Sequence, residues 1–285
     1  MLFRRTVLIS LVALLCPAAG AELPPDPLEA MGFEAGDLSN ESANLGGGGE
    51  VLFDSIQYHV GGAFSVTSQN HVGFVFPTTN EIYETFGADD FEVTDGGWRI
   101  DTVEVKGNYF SGSGPAESVN IYILPDGGPL PGTTAIPEEA LVVLEELPFV
   151  DNTPQPGDLV VPLPAPFRLD PGTYWLVVQV NLPLPNQWGW TTIETSPGSG
   201  EGLGAMAAWM QNAPGVGPEC VAFWGTLVTT CGIDGGVDPP APDFAFILRG
   251  SRIPTPPVAI PTLSQAFLLG LLLMLGAAGL MMLRR

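Results

Sequence analysis

The chain has 285 residues, with 31 acids, nine bases and two histidines, for a formal charge of −22. Between Glu22 and Ile260 stand all 31 acids but only five bases (Arg99, Lys106, Arg168, Arg249 and Arg252), so this stretch alone carries −26. That excludes nucleic acid as a natural partner, because phosphate binding needs a basic face; strong negative charge keeps a protein soluble and draws cations without naming a ligand.

In chain order, Arg4-Arg5, the apolar stretch Val7 to Leu15 and the small residues Ala19-Gly20-Ala21 make the charged, apolar and cleavage regions of a signal peptide over 1–21, the substrate of Sec-type export machinery. Cys16 invites a lipoprotein reading, but the large Leu15 stands where lipoprotein processing wants a small residue. Residues 22–50, with Gly46 to Gly49, lack strand periodicity and read as loosely ordered.

From 51 to 250, short apolar runs alternate with Gly and Pro, which predicts strands at Val51–His59, Trp98–Lys106, Ser118–Leu124, Leu141–Glu145, Val161–Phe167, Tyr174–Val180, Trp188–Ile193 and Phe244–Leu248. Trp98 and Ile100 share one face while Val103 and Val105 share the other, so a bulge or two buried faces is expected there. Pro162, Pro164 and Pro166 remove amides from one edge of Val161–Phe167, which makes it an outer strand shielded from pairing with a neighbouring molecule. Tyr174–Val180 is apolar on both alternating faces and should be a central strand buried on both sides. Leu203 to Cys220, with Met206, Trp209 and Met210, is expected to form a helical turn or a covering loop. Cys220 and Cys231 are the two cysteines left after signal cleavage, and an even count in an exported chain favours a disulfide. A type II′ turn at Gly225-Thr226 would set 220 opposite 231, within the roughly 4.4–6.8 Å that bonded Cα atoms need.

Residues 251–262 are Pro-rich, and 263–285 contain Ala266–Leu283, a run free of charge and proline. At a helical rise of about 1.5 Å per residue this run covers roughly 27 Å, close to the hydrocarbon thickness of a bilayer. It is expected to be a transmembrane helix, with Arg284 and Arg285 marking the cytoplasmic side. The fold class is therefore all-β: an antiparallel β-sandwich ectodomain over 51–250 between an N-terminal signal helix and a C-terminal transmembrane helix.

The order of parts at the C-terminus, a spacer Ile253-Pro-Thr-Pro-Pro-Val-Ala, then Ile260, Pro261, Thr262, Leu263 and Ser264, then the apolar run and Arg284-Arg285, resembles the IPTL-CTERM sorting signal. That family is a relative of the PEP-CTERM tails of exported proteins of Gram-negative bacteria. The resemblance implies an inner-membrane intermediate, recognition by an exosortase-like membrane protease, a cut near the motif and transfer to the cell surface. It covers about a tenth of the chain, and departs from the family in having Gln265-Ala266-Phe267 where an acidic-Trp pair is usual. A second resemblance rests on Val51-Leu-Phe-Asp, Thr67-Ser-Gln, Gly87-Ala-Asp-Asp-Phe-Glu-Val, Trp98-Arg-Ile, Pro171-Gly-Thr-Tyr-Trp-Leu, Trp188-Gly-Trp and Asp243-Phe-Ala-Phe-Ile-Leu-Arg-Gly. In this order they are similar to bacterial surface ectodomains that precede such tails, which implies a jelly-roll sandwich related in shape to carbohydrate-binding modules.

Chemistry is sparse. His59 and His71 are the two histidines, and the chain has no Gly-x-Ser-x-Gly or His-Glu-x-x-His pattern to place a nucleophile or a zinc-bound water. Carboxylate pairs for glycoside cleavage are set in space, so the sequence leaves them open. Asp234, Asp238 and Asp243 lie in a loop before the last strand, and Asp89, Asp90 and Asp95 lie near another. Either set is a weak candidate to supply calcium with oxygen ligands, although turn-capping is the plainer role. Trp188 and Trp190 share a strand face and are weak candidates to stack on a sugar ring, with core packing the plainer role. The expectation is a non-enzymatic surface or extracellular-matrix protein of structural or adhesive function, needing no cofactor, with surface polysaccharide as its candidate partner. A calcium-dependent carbohydrate-binding module is the second reading and a secreted hydrolase the third.

Overall fold

The computed structural model describes residues 49–58, 64–71, 84–151, 157–194, 204–212, 220, 222–233 and 242–255, with helical residues at 267, 269–270, 272–275, 280 and 282. The segment 1–21, most of 22–50, His59, Asp234, Asp238, the motif Ile260 to Ser264 and Arg284-Arg285 lie outside the described residues.

The strands in chain order are β1 (Glu50–Asp54), β2 (Ser65–Thr67), β3 (Gln69–His71), β4 (Thr85–Val93), β5 (Trp98–Val105), β6 (Gly107–Phe110), β7 (Ser118–Pro125) and β8 (Val142–Leu147). There follow β9 (Val150–Asp151), β10 (Leu159–Leu169), β11 (Gly172–Leu182), β12 (Gln187–Glu194), β13 (Ala208–Gln211), β14 (Gly225–Thr226), β15 (Pro242–Phe244) and β16 (Phe246–Arg252). Among the described residues they form a five-stranded sheet in the order β1-β16-β5-β10-β9 and a seven-stranded sheet in the order β14-β13-β4-β11-β7-β8, with β3 also on β11. A smaller sheet is built on β12, flanked by β15, β2 and β6. Pairing is antiparallel except between β3 and β11.

The two large sheets share one core in a sandwich-like arrangement. Ile100, Val103 and Val105 of β5 and Phe246 and Leu248 of β16 meet Phe91 of β4, Ile121 and Ile123 of β7 and Leu176 and Val178 of β11. Burial of such side chains from water is the main force holding the layers together. As its sequence predicts, β11 is central and apolar on both faces: its even positions enter this core, while Trp175 and Val177 enter a second cluster with Tyr122, Leu124, Met210 and Trp224. That second cluster is roofed by Leu130, Ile136 and Ala140, and Trp224 Nε1 donates to the Thr133 carbonyl at 2.7 Å.

Several expectations need correction. Val51–His59 is not one strand: β1 ends at Asp54, whose carboxylate accepts the Ile56 and Gln57 amides (2.9 and 3.3 Å) and turns the chain into a 3-10 segment, Ile56–Tyr58. Phe244–Leu248 is split at Ala245, where β15 gives way to β16 at a junction closed by Lys106 N to Ala245 O (3.0 Å), Ala245 N to Thr191 O (2.9 Å) and Thr191 N to Lys106 O (2.9 Å). The 203–220 region holds neither a helical turn nor a mere covering loop at its centre, because Ala208–Gln211 extends as β13 along β4. The expected bulge in β5 is present at Asp101, since Thr102 pairs with Arg249 and Ile100 with Gly250. β10 is an outer strand beyond its first two residues: β9 covers Leu159 and Val160, and from there on the exposed Pro162, Pro164 and Pro166 follow.

Cys220 and Cys231 are bonded, with Cα atoms 5.3 Å apart. The expected hairpin turn at Gly225-Thr226 is corrected: these residues are β14, paired with Trp209 and Ala208, and the chain reverses over 227–231 through Thr230 N and Cys231 N bonded to Thr226 O (3.2 and 3.0 Å). Gly225 is required there because a Cβ would lie 2.3 Å from the Cys220 sulfur.

No helix among the described residues is long and apolar enough to cross a membrane.

Candidate functional site

One face of the seven-stranded sheet changes character along its strands. Opposite pairs run from Trp175/Leu124 and Val177/Tyr122 to Gln179/Asn120 and Asn181/Ser118, and β3 sets Asn70 beside Asn181. The apolar end is roofed; the polar end opens into a pocket of about 490 Å³ lined by Asn70, Glu117, Ser118, Asn120, Glu145, Glu146 and Asn181.

The floor of this pocket is a network of amides, with Asn120 and Asn181 buried. They form a reciprocal pair, Asn181 Nδ2 to Asn120 Oδ1 at 2.8 Å and Asn120 Nδ2 to Asn181 Oδ1 at 3.2 Å. Asn120 Nδ2 also donates to Gln179 Oε1 (3.2 Å), Asn181 Nδ2 to Ser118 Oγ (2.9 Å) and Asn70 Nδ2 to Asn181 Oδ1 (3.1 Å). The wall is a bulge in β8. Val119 pairs with Leu147 and Ile121 with Leu144, so Glu145 and Glu146 together face Asn120. Glu146 has a left-handed backbone (φ 54°), a conformation that costs a non-glycine residue on the order of 1 kcal/mol or more. The Asn120 side-chain oxygen Oδ1 accepts the Glu146 backbone amide at 3.0 Å and so holds the bulge in place. Glu145 accepts the Tyr122 hydroxyl at 2.9 Å; burial, then that hydrogen bond, push the phenol well above its ordinary range.

Beside the network, Gln69 Oε1 accepts the Trp188 amide (2.8 Å), so its Nε2 is left to donate to His71 Nε2 (2.7 Å). An accepting imidazole nitrogen is unprotonated, and burial lowers His71 to about 4, against a raising contribution from the Leu182 backbone.

The residues singled out from sequence are placed differently. Trp188 and Trp190 are wholly buried, which removes them as sugar-stacking surfaces: Trp188 Nε1 donates to Gly157 O (2.8 Å), and Trp190 lies on Phe244 with ring centroids 4.4 Å apart. The two aspartate loops converge in part, since Asp89 senses both Asp243 and Asp90. Asp89 lies opposite Leu176 and Asp90 opposite Trp175, so these neighbours face different sides of β4 and cannot chelate one ion together. Asp89 accepts the Phe244 and Asp90 amides, which ties β4 to β15; burial first, then Asp243 and Asp90, hold its carboxyl well above the usual range. Asp90 accepts the Ala205 amide at 2.8 Å and is pushed up to about 6, chiefly by burial. Asp95 is in a left-handed turn, 3.6 Å from Arg252. Among the described residues no group of three His, Cys, Asp or Glu side chains is set to hold a metal ion.

No protein-family model, curated protein or solved structure matches the chain.

Proposed function

We propose that this chain is an exported cell-surface or extracellular-matrix protein, held in transit by its C-terminal helix and released by an exosortase-like protease. Its jelly-roll-like body is non-catalytic, with a structural or adhesive role. The observation that carries the proposal is the contrast between the folded body and the helical residues after it. Leu272, Leu273, Met274 and Leu275 are 66, 73, 71 and 63 % exposed. Four successive helical residues sweep a full turn, so this turn is apolar and uncovered all round, a surface suited to lipid. The Ile260-Pro-Thr-Leu-Ser motif directly before it, the basic pair after it, the signal-like start and a disulfide in the body all support export.

The test is intact mass and C-terminal peptide mapping of the surface and inner-membrane fractions of a host that carries an exosortase. The surface form should begin at Glu22, end near Thr262 and lack the apolar run, and deleting the exosortase should leave the whole tail in the inner membrane. Arg285 retained on all surface protein would reduce the tail to an ordinary anchor.

A further inference from the structure

We propose that the pocket between β7, β8 and β11 binds a polyatomic organic cation bearing several primary ammonium groups, the chemistry of an amino-sugar chain or a polyamine. The argument is an inventory of donors and acceptors. The Glu146 amide can only donate, which fixes the orientation of Asn120, and the reciprocal pair then fixes Asn181. Both hydrogens and both lone pairs of each side-chain amide are then engaged: Asn120 with Gln179, Asn181 and Glu146, and Asn181 with Ser118, Asn120 and Asn70. The floor offers a ligand nothing.

What remains unspent is mostly acceptor. Three exposed carboxylates line the pocket, Glu117, Glu145 and Glu146, and no Lys or Arg among the described residues does. Beside them stand the Asn70 carbonyl oxygen, one Asn70 amide hydrogen and the Ser118 hydroxyl. A neutral sugar can donate its hydroxyls to these carboxylates but finds two side-chain donors for its own oxygens and gains no charge attraction. An anion meets three like charges. A bare metal ion needs ligands converging on one point, and no such group occurs among the described residues. A volume of about 490 Å³ matches a small organic ligand, for which pockets run from roughly 300 to 1,000 Å³. Ammonium groups donate only, and each forms charge-assisted bonds with carboxylates. Exposed pairs are individually weak, so recognition depends on several ammonium groups engaging at once, as a repeating chain provides.

This inference extends the adhesive half of the proposed function, and binding by purified chain is scored independently of sorting, so either can fail alone. The experiment is calorimetric titration of the full chain in detergent micelles at low salt. The probes are tetraglucosamine, its fully N-acetylated counterpart, spermidine and calcium chloride. Tetraglucosamine should bind saturably and its acetylated form at least about tenfold more weakly, because acetylation removes the charge while keeping the size. Glu117→Gln with Glu146→Gln should weaken binding about tenfold or more, whereas Glu92→Gln with Glu138→Gln, the same charge change outside the pocket, should leave it within about twofold. Saturable spermidine binding lost in the same pocket variant supports the ammonium chemistry and assigns a polyamine as a source. Equal loss in both variants, equal affinity for the acetylated probe, or displacement by one equivalent of calcium would overturn the proposal. The ligand pair tests it even if a variant misfolds.

Discussion

Asp90 and His71 are both removed from water, and the same cause drives them apart: burial raises Asp90 to about 6 from 3.8 and lowers His71 to about 4 from 6.5. A raised carboxyl favours the native state while protonated, so the Asp90 contribution is complete below pH 3.8 and is lost as pH climbs through about 6. A depressed imidazole works the other way: the His71 contribution is complete above pH 6.5 and is lost as pH falls through about 4. Urea unfolding separates them. Asp90→Asn, neutral at every pH, should match the parent at pH 3.5 and exceed it at pH 7.5 by up to about 3 kcal/mol, the linkage value of a shift of roughly two units. Equal stability at pH 7.5 would contradict a buried Asp90 that is forced to ionise there. Little at this scale was legible in the sequence. Asn70, Asn120 and Asn181 stand far apart in the chain, follow no motif, and sit in strands, where asparagine is unfavoured. Only the pairing of β3 and β7 with β11 brings them together. Trp188 and Trp190 show the opposite failure: their shared face was readable, but not which side of the sheet would be covered.

At the scale of elements, strands with apolar periodicity were legible and those that break it were not. β11 and β5 follow directly from alternation, whereas β4 is interrupted by Asp89-Asp90, whose burial depends on amides supplied by Phe244 and Ala205 from distant segments. The disulfide shows the same division. Its existence follows from the cysteine count and the export that the sequence predicts, while its local geometry depends on β14 pairing with β13, a long-range contact. The purified protein should contain no alkylatable thiol at Cys220 or Cys231 before reduction. Reduction should cost about 3 kcal/mol by the loop-entropy model. Two reactive thiols in native, unreduced protein would contradict the bond.

For the whole molecule the dominant quantity is the −26 carried between Glu22 and Ile260. Four of the five bases there are already engaged, Lys106 with Asp158, Arg168 with Asp170, Arg249 with Glu104 and Arg252 with Glu50 and Asp95, so most carboxylates repel without compensation. Salt should therefore raise the melting temperature by screening, with magnesium and calcium alike at equal ionic strength. A large calcium-selective rise would mean that a site binds that ion in the native state and would favour a calcium-dependent module. The rim of the five-stranded sheet bears on the same question of living at high density. Wherever copies of a chain are concentrated, an open strand edge would let adjacent sheets zip into one continuous ribbon. Past Val160 the outer margin of β10 presents Pro162, Pro164 and Pro166. Proline carries no amide hydrogen, so this stretch has three fewer donors than an ordinary strand of its length. Copies that meet along this margin therefore stay separate molecules and do not merge into one sheet there.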